Sequence, residues 1–381
     1  MERLLEFSEE HNLLRDAAAR FFEREAVPHN EQWERDGVVS KEIWLKAGTA
    51  GLLCADQDPD YGGGGGDFLH QVVIMEEMAK SGTYGPGFGL HSAIIVPYIQ
   101  KYGNEAQKKR WLPGCASGEF ITSIGMTEPA GGSDLQAVKT SAVRDGDHYV
   151  INGSKTFISN GQLSNLHILA ARTDREAKGA KGISLIVLET EGLEGFERGR
   201  NLEKVGMHAQ DTSELFFNDV RVPVENLLGE AEGQGFYQMM EMLPQERLVL
   251  AIDGVNVMEL ALEITADYVK DRKAFGKTIA DFQNTRFKLA EMKTDVAATR
   301  TFMDHCINLL DQGHLTADDG AMAKLWATER QCKLVDECVQ LHGGYGYMAE
   351  YQIARLWVNS RPQRIYGGTS EVMKDIIGRS I

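Results

Sequence analysis

The sequence predicts an α+β fold in which a β-domain lies between two helical domains. Up to about residue 120, apolar residues recur at helical spacing, as in the stretch 14–22. Residues 121–232 change to short runs rich in β-forming residues, and residues 233–381 return to the helical period. We therefore expect a helical domain over 1–120, a β-domain and a C-terminal helical bundle. The two helical regions must then pack on each other.

The first region contains the signals of at least three helices. Ser8 can cap a helix whose first turn is acidic, which suits the positive end of a helix dipole. This helix should end before Pro28, because the residue before a proline disfavours the helical conformation. Further helices are expected at about 68–80 and 91–101.

The second region is predicted to be an antiparallel β-domain. Asn152-Gly153 stands between apolar runs, and both residues tolerate positive φ, so this dipeptide predicts a hairpin turn. Three further strands are expected where β-forming residues are bounded by Gly, Asp or Pro, at 167–172, 183–189 and 214–222.

The third region is predicted to form a helical bundle. One set of residues steps by three and four and marks a buried seam with a single polar member: Leu289, Met292, Val296, Thr299, Met303, Cys306 and Leu310. A following helix should run from about 317 to 342 and end at Gly343-Gly344, because glycine favours helix termination.

Charge and hydropathy exclude several classes of function. The chain of 381 residues has 40 basic and 56 acidic residues, a net charge of −16, which argues against nucleic-acid binding and against docking on anionic membranes. No apolar run approaches the length of about 18–20 residues that spans a membrane, so no membrane insertion is expected. The acidic, mixed start of the chain resembles neither a signal peptide nor a transit peptide.

The five cysteines, at 54, 115, 306, 332 and 338, include no C-x-x-C pair. An odd number without such pairs is a poor disulfide framework and a poor zinc site. We expect free thiols in a reducing compartment and no metal site. This predicts a cytoplasmic protein, in preference to a mature protein of the mitochondrial matrix.

The segment 121–142 is the first candidate for a binding site. It begins as a strand and turns through Pro129 and small residues, so that it presents the hydroxyls of Thr127 and Ser133 together with backbone N–H groups. Such a turn can bond a flat heteroaromatic ring and a phosphate. It can equally be an ordinary loop with a serine cap, and the segment alone does not decide between the two.

Taken together with four other motifs, this segment resembles the acyl-CoA dehydrogenase family. The motifs follow the family's order over nearly the whole chain: FISNG (157–161), RKAFGK (272–277), QLHGGYGYM (340–348) and IYGGTSE (365–371). The resemblance implies an N-terminal helical domain, a middle β-barrel and a C-terminal four-helix bundle. It also implies a homotetramer, a dimer of dimers, with FAD between the β-domain and the bundle.

The resemblance assigns the FAD-binding residues one by one, and a neighbouring subunit completes the site. The assigned residues are Ile124, Met126, Thr127, Ser133, Phe157, Ser159, Arg272, Phe275, Gln283, Gln340, Gly344, Thr369 and Glu371. Phe157 stands where the family more often has tryptophan, and it can stack on the flavin equally well. Arg272 suits a phosphate, because a guanidinium can make bidentate bonds.

The chain departs from the family at the commoner position of the catalytic base. Many members have a glutamate in an I-Y-E-G-T motif, whereas this chain has Gly367 in IYGGT. Either the protein is inactive as a dehydrogenase or the carboxylate comes from elsewhere. The LPQER motif (243–247) resembles the long-chain and isovaleryl-CoA dehydrogenase subgroup, most closely its long-chain members, in which the base lies on a helix. By this resemblance Glu246 is the base, and its pKa should be raised by an apolar pocket.

The resemblance further implies oxidation of a fatty acyl-CoA thioester, of medium, long or branched chain, to the trans-2-enoyl-CoA. Flavin N5 accepts the hydride, and an electron-transfer flavoprotein then takes the electrons. The residues matched to the thioester path are Ser133, Tyr237, Pro244, Gln245, Arg247, Gly367 and Gly368. Alternatives are an isoprenoid thioester such as citronellyl-CoA, an acyl-carrier-protein thioester, a flavin monooxygenase on the same fold, and a catalytically inactive binding protein.

Overall fold

The structure, a computed structural model, describes residues 3–381. Its N-terminal domain is helical as predicted. Its α-helices are α1 (Glu9–Phe21), α2 (Asn30–Asp36), α3 (Lys41–Thr49), α4 (Phe68–Ser81), α5 (Val96–Tyr102) and α6 (Glu105–Ser117). A π-helical turn, Leu90–Ile95, leads directly into α5, and together they account for the helix expected at 91–101. Another π-helical turn, Phe22–Ala26, follows α1 and ends before Pro28.

The N-termini of α1 and α4 are joined by two histidines. Ser8 caps α1 as predicted and shares a capping box with His11, while Asp67 caps α4 and shares one with His70. His11 Nε2 and His70 Nδ1 lie 2.9 Å and 2.8 Å from the same oxygen, Oδ1 of Asp67. The two caps therefore tie the first helix of the chain to the helix that packs on it.

The middle domain is one eight-stranded sheet. Its strands are β1 (Thr122–Gly125), β2 (Ser141–Asp145), β3 (His148–Ser159), β4 (Leu166–Arg172), β5 (Ile183–Glu189), β6 (Phe196–Asn201), β7 (Thr212–Pro223) and β8 (Leu227–Leu228). The order is β6-β7-β3-β2-β4-β5-β8, with β1 paired to β4. The sheet is not wholly antiparallel as expected, because β1 and β2 both run parallel to β4.

The hairpin predicted at Asn152-Gly153 is wrong, because β3 runs straight through both residues. The turn between β2 and β3 is made at Gly146, whose φ is +64°. Gly153 instead follows a register shift against β7, where a Cβ would lie 2.6 Å from Thr140 Oγ1. The Asn152 side chain bonds Asp219 across the strands at 2.9 Å. The dipeptide therefore lies at a β-bulge, where the absence of a side chain on Gly153 lets the backbone of β3 approach Thr140 closely.

Strands β4 and β5 are buried on both faces, which joins the sheet to the helices. Leu169 and Ile186 belong to the core enclosed by the sheet, whereas their neighbours Ile168 and Val187 belong to the core shared with the helical domains. Alternate side chains on a strand point to opposite faces. The near-continuous apolar runs of these strands follow from that double burial.

The C-terminal domain is helical and confirms the predicted seam. Its helices are α7 (Gly235–Asp271), α8 (Gln283–Asp311), α9 (Ala317–His342), α10 (Gln352–Ser360) and α11 (Ser370–Gly378), and a short hairpin, β9 (Lys273–Ala274) and β10 (Lys277–Thr278), connects α7 to α8. Thr299, the polar residue of the seam, is fully buried and accepts a hydrogen bond from Trp326 Nε1 at 3.0 Å. Helix α9 ends at the predicted glycine pair. None of the helices within residues 3–381 is long and apolar enough to cross a membrane.

Candidate active site

Glu246 lies on α7 in the interior of the protein, with 7% of its surface exposed. The hydroxyl of Tyr98, on α5, donates a hydrogen bond to Glu246 Oε1 at 2.6 Å. Burial raises the pKa of Glu246 to about 7, although the Tyr98 hydrogen bond and the charge of Arg247 both pull it down. The sequence-based expectation of a raised pKa is therefore confirmed. A carboxylate that titrates near neutrality can take up a proton efficiently at physiological pH.

The Gly367-Gly368 turn packs against the same face of α7 as Glu246. A Cβ added at Gly367 would collide with Leu250 Cδ1, and Leu250 follows Glu246 by four residues, which places both on one side of the helix. The φ angles of Gly367 and Gly368 are +65° and +96°, which other residues rarely adopt. The turn thus lies close against the helix face that bears the carboxylate and places no side chain of its own there.

Two buried cations accompany the carboxylate. Lys324 of α9, 1% exposed, donates a hydrogen bond from Nζ to the carbonyl of Gly368, and burial lowers its pKa to about 8. Arg247 is 5% exposed, and its Nε has no hydrogen-bond partner within residues 3–381. Lys324 was not recognised in the sequence, because a lysine on a predicted amphipathic helix is usually solvated.

The predicted thioester-path residues on α7 are spread along the helix. Gln245 donates a hydrogen bond from Nε2 to the carbonyl of Ala93 at 2.8 Å, which binds α7 to the π-helical turn before α5. Pro244 interrupts no part of α7 and contacts α9, because a Cβ on Gly320 would lie 2.8 Å from its carbonyl oxygen. Tyr237 is 48% exposed in the first turns of the helix, about 13 Å from Glu246 along the axis.

A surface cavity of about 510 Å³ opens beside Pro244 and Gln245. It lies between α5, α7 and the loop after α8, and its lining includes Pro97, Gln100, Lys101, Met242, Leu310 and Leu315. The cavity is on the α5 side of the helix turn that carries Glu246.

The segment after β1 is held in place by a buried ion pair. Lys155, fully buried on β3, donates from Nζ to Glu128 Oε1 at 2.9 Å and to the Met126 carbonyl at 3.2 Å. Glu128 also accepts the backbone N–H groups of Lys139 and Thr140. Burial opposes the charge of Glu128, but Lys155 and these donors hold its pKa below the usual value. The backbone of the loop is thereby fixed, although neither member of the pair was predicted to matter.

This fixed loop presents groups that suit a flavin. In the part of the chain that the structure describes, the hydroxyls of Thr127 and Ser133 have no hydrogen-bond partner. Phe157 is 68% exposed with a φ of +59°, a conformation rare for a bulky residue. Ile124 lies on β1 and Ser159 ends β3. The backbone N–H of Thr156 donates to the Thr127 carbonyl at 3.0 Å, which brings Phe157 next to Thr127. An exposed aromatic face beside an unpartnered hydroxyl fits a flat ring with polar edges, and residues in strained conformations cluster at binding sites.

The π-helical turn joins this loop to the carboxylate. His91 lies 2.8 Å from Thr122 Oγ1 on β1, while Ala93 of the same turn accepts the hydrogen bond from Gln245. The strand that leads to the loop and the helix that carries Glu246 are therefore fixed to one element. π-Helical turns occur frequently at functional sites.

Five of the remaining predicted FAD residues, those that the resemblance assigns to the cofactor of a neighbouring subunit, form a second group at the far end of the C-terminal domain. Arg272 lies 5.4 Å from the centre of the Tyr345 ring, and Tyr268 stacks on His342 at 4.2 Å, which joins the ends of α7 and α9. Around this end lie the exposed residues Phe275, Gln283, Gln340 and Gly344, and Phe275 is 95% exposed with a φ of +52°. Thr369 and Glu371 lie apart from this group, at the start of α11, where Thr369 caps the helix, Glu371 is exposed and the buried Ser370 bonds Glu329 of α9.

One group with metal-ligating side chains occurs within the described residues, and it lies apart from this site. It consists of His11, Asp67 and His70, whose ligand atoms lie within 4.8 Å of one another. Their hydrogen bonds at the two helix caps account for this arrangement.

A buried carboxylate that titrates near pH 7, on a helix face against which a glycine turn packs, has the features of a general base in an enzyme. Models of the acyl-CoA dehydrogenase N-terminal, middle and C-terminal domains match residues 8–119, 123–220 and 233–381. The chain belongs to the acyl-CoA dehydrogenase family and is an oxidoreductase. The predicted order of domains, helical, sheet and helical, is confirmed by these matches.

Individual relatives match over nearly the whole chain. The mitochondrial long-chain specific acyl-CoA dehydrogenase of Sus scrofa is 50% identical over 376 residues, 98% of this chain and 87% of the relative. The crystal structure of an acyl-CoA dehydrogenase from Geobacillus kaustophilus has a TM-score of 0.97 at 49% identity and covers 100% of this chain and 99% of its own. An acyl-CoA dehydrogenase from Bacillus anthracis, solved in complex with FAD, has a TM-score of 0.92 at 32% identity. The match covers 100% of this chain and 68% of the Bacillus anthracis chain.

Proposed function

We propose that this chain oxidises acyl-CoA thioesters of medium, long or branched chain to trans-2-enoyl-CoA, with FAD as the hydride acceptor. The observation that carries the proposal is the pair of alternative base positions. Gly367 places no carboxylate at the first position. Glu246 places one at the second, on the adjoining helix face, where it is buried and has a pKa of about 7. Two relatives, the Sus scrofa and Geobacillus kaustophilus enzymes, about half identical to the chain, support the reaction class.

The residues of the chain divide the work between them. Glu246 accepts the proton from the α-carbon of the thioester, and its burial excludes the water that would otherwise compete. Arg247 and Lys324 place positive charge next to the site, which favours the negative charge that develops on the thioester carbonyl. A bound FAD would supply the acceptor for the hydride that leaves the β-carbon. The Gly367-Gly368 turn carries no side chain that would separate the α-carbon from the carboxylate.

The two separate groups of predicted FAD residues support a shared site. Ile124, Met126, Thr127, Ser133, Phe157 and Ser159, with Thr369 and Glu371, would hold the cofactor of their own subunit. Arg272, Phe275, Gln283, Gln340 and Gly344 would reach the cofactor of a neighbour, which explains why Phe275 is 95% exposed in the single chain. We therefore propose a homotetramer, a dimer of dimers.

Two further assignments follow from family membership and from the thiols. An electron-transfer flavoprotein is the proposed acceptor of the electrons. The cytoplasm is the proposed compartment, since the five cysteines are free and four of them are buried.

The test is anaerobic bleaching of the flavin by a series of acyl-CoA thioesters. Glu246→Gln should retain FAD and bind thioesters, yet lose flavin reduction by ~10²–10⁴-fold, because the amide cannot accept the α-proton. Glu241→Gln is the matched control, since Glu241 lies on the same helix and is exposed. Reduction in the Glu246→Gln variant within about tenfold of the parent would remove Glu246 from the mechanism. Bleaching only by citronellyl-CoA or by a carrier-protein thioester would replace the proposed substrate.

A further inference from the structure

Tyr98 reaches Glu246 from a helix 148 residues away in sequence. Its side chain is fully buried, and its hydroxyl donates to Glu246 Oε1 at 2.6 Å. Hydrogen bonds of this length between a hydroxyl and a carboxylate are the strong, charge-assisted kind. No hydrogen bond within residues 3–381 occupies the other oxygen, Oε2.

The helix that carries Tyr98 is fixed to α7 at three successive points. The carbonyl of Ala93 accepts from Gln245 at 2.8 Å, Tyr98 bonds Glu246, and Tyr102 donates to Glu241 Oε2 at 2.7 Å. The Tyr98 ring therefore has little freedom, and the carboxylate to which it donates is held in one orientation. A general base fixed in this way keeps its reactive oxygen aligned, and a displacement of about 1 Å can cost ~10²-fold in rate.

The hydrogen bond also acts on the ionisation of Glu246. The groups that face this carboxylate are Tyr98 from α5 and Arg247 from its own helix, and Lys324 from α9 stands at the adjoining glycine turn. Burial raises the pKa of Glu246 to about 7, and donation from Tyr98 opposes that rise. Burial and the nearby Glu246 raise the pKa of Tyr98 itself well above its usual value. Tyr98 thus remains a proton donor wherever Glu246 titrates.

We propose that Tyr98 is a positioning residue for the reaction, because its hydroxyl holds Oε1 of Glu246 and leaves Oε2 to accept the substrate proton. This inference rests on the proposed function, in which Glu246 is the base.

The test compares Tyr98→Phe with Tyr102→Phe in the FAD-bound enzyme. The two tyrosines lie one helical turn apart, and each donates to a glutamate of α7, but the bond of Tyr102 is exposed. Tyr98→Phe should lower the limiting rate of anaerobic flavin reduction at pH 7 by about 10–100-fold. It should also raise the pH midpoint of that rate by about one unit, since the ionised form loses a donor. Thioester affinity should stay within about threefold, and Tyr102→Phe should change neither rate nor midpoint.

The pH dependence separates the two effects of Tyr98. If Tyr98 acts as proposed, the rate deficit of Tyr98→Phe narrows about fivefold as the pH rises above both midpoints, because Glu246 is then ionised in both enzymes, and a residual deficit remains because Oε1 is no longer held. A deficit that disappears above both midpoints, a deficit that is the same at every pH, or a rate within twofold of the Tyr102→Phe control overturns the inference. The Glu246→Gln variant, measured in the same assay, tests the role of Glu246 as the base separately from the role of Tyr98. If that variant still reduces flavin, the proposed base fails. If it does not, while the two tyrosine variants behave alike, only the role of Tyr98 fails.

Discussion

Moving the carboxylate from Glu246 to position 367 tests whether both positions face one reacting carbon. Glu246→Gly should abolish flavin reduction by acyl-CoA, since a general base contributes ~10²–10⁴-fold. Adding Gly367→Glu to that variant should restore part of the lost activity. The expectation follows from the packing of Gly367 on Leu250, four residues after Glu246 on the same face of α7.

The structure also predicts how far the recovery can go. The φ of Gly367 is +65°, so a glutamate there incurs a conformational cost of ~1–3 kcal/mol. Its Cβ must also displace Leu250 Cδ1, which is the flexible end of a side chain. A base that lands about 1 Å from its ideal place loses ~10²-fold. We expect the double variant to gain up to about 100-fold over Glu246→Gly and to remain about 100-fold below the parent.

The control is Glu246→Gly with Gly367→Gln, which carries the same backbone strain and nearly the same volume without a base. The assay is stopped-flow flavin reduction under anaerobic conditions, with FAD content and thioester affinity measured for each variant. If the double variants with Gly367→Glu and with Gly367→Gln are equally inactive while both bind FAD and thioester, the two positions do not converge on one carbon. The proposed placement of the active site would then have to be abandoned.

Three further predictions test other parts of the site. Flavin reduction in the parent should rise with pH through about 7, because the ionised fraction of Glu246 grows there. Between about pH 4.5 and 7 the folded state should lose stability as pH rises, a slope absent in Glu246→Gln, since only the folded chain still holds that proton. Lys155→Met should lower FAD content and melting temperature, because removal of one member of a buried ion pair costs ~3–5 kcal/mol. The control is Arg221→Met, which breaks an exposed ion pair with Asp145 in the same domain. It should change neither FAD content nor melting temperature. Arg272→Ala should weaken FAD binding by about 10–150-fold with the fold retained, and equal FAD content in Arg272→Ala and in the exposed control Lys270→Ala would refute its assignment.

Local signals in the sequence predicted the helices well and the sheet less well. Ser8 and the Gly343-Gly344 pair mark helix ends through capping chemistry that involves only near neighbours, and the structure has both ends as predicted. The hairpin predicted at Asn152-Gly153 was wrong, because residues that tolerate positive φ occur in β-bulges as well as in turns. The parallel direction of β1 depends on β4, more than forty residues later, and no local pattern encodes it.

The candidate site shows the same division between local and long-range information. Glu246 could be proposed from a motif, because its neighbours in sequence carry the resemblance. Tyr98, Lys324 and the Lys155–Glu128 pair could not, since each acts on a group that only folding brings near. A tyrosine in an apolar run normally indicates core packing, and the Tyr98 ring is indeed fully buried. Its hydroxyl differs from an ordinary core hydroxyl only because α5 crosses α7 at the turn that carries the proposed base, Glu246. The residues that tune a catalytic group therefore emerge from the packing of helices, whereas the group itself can be found in the chain.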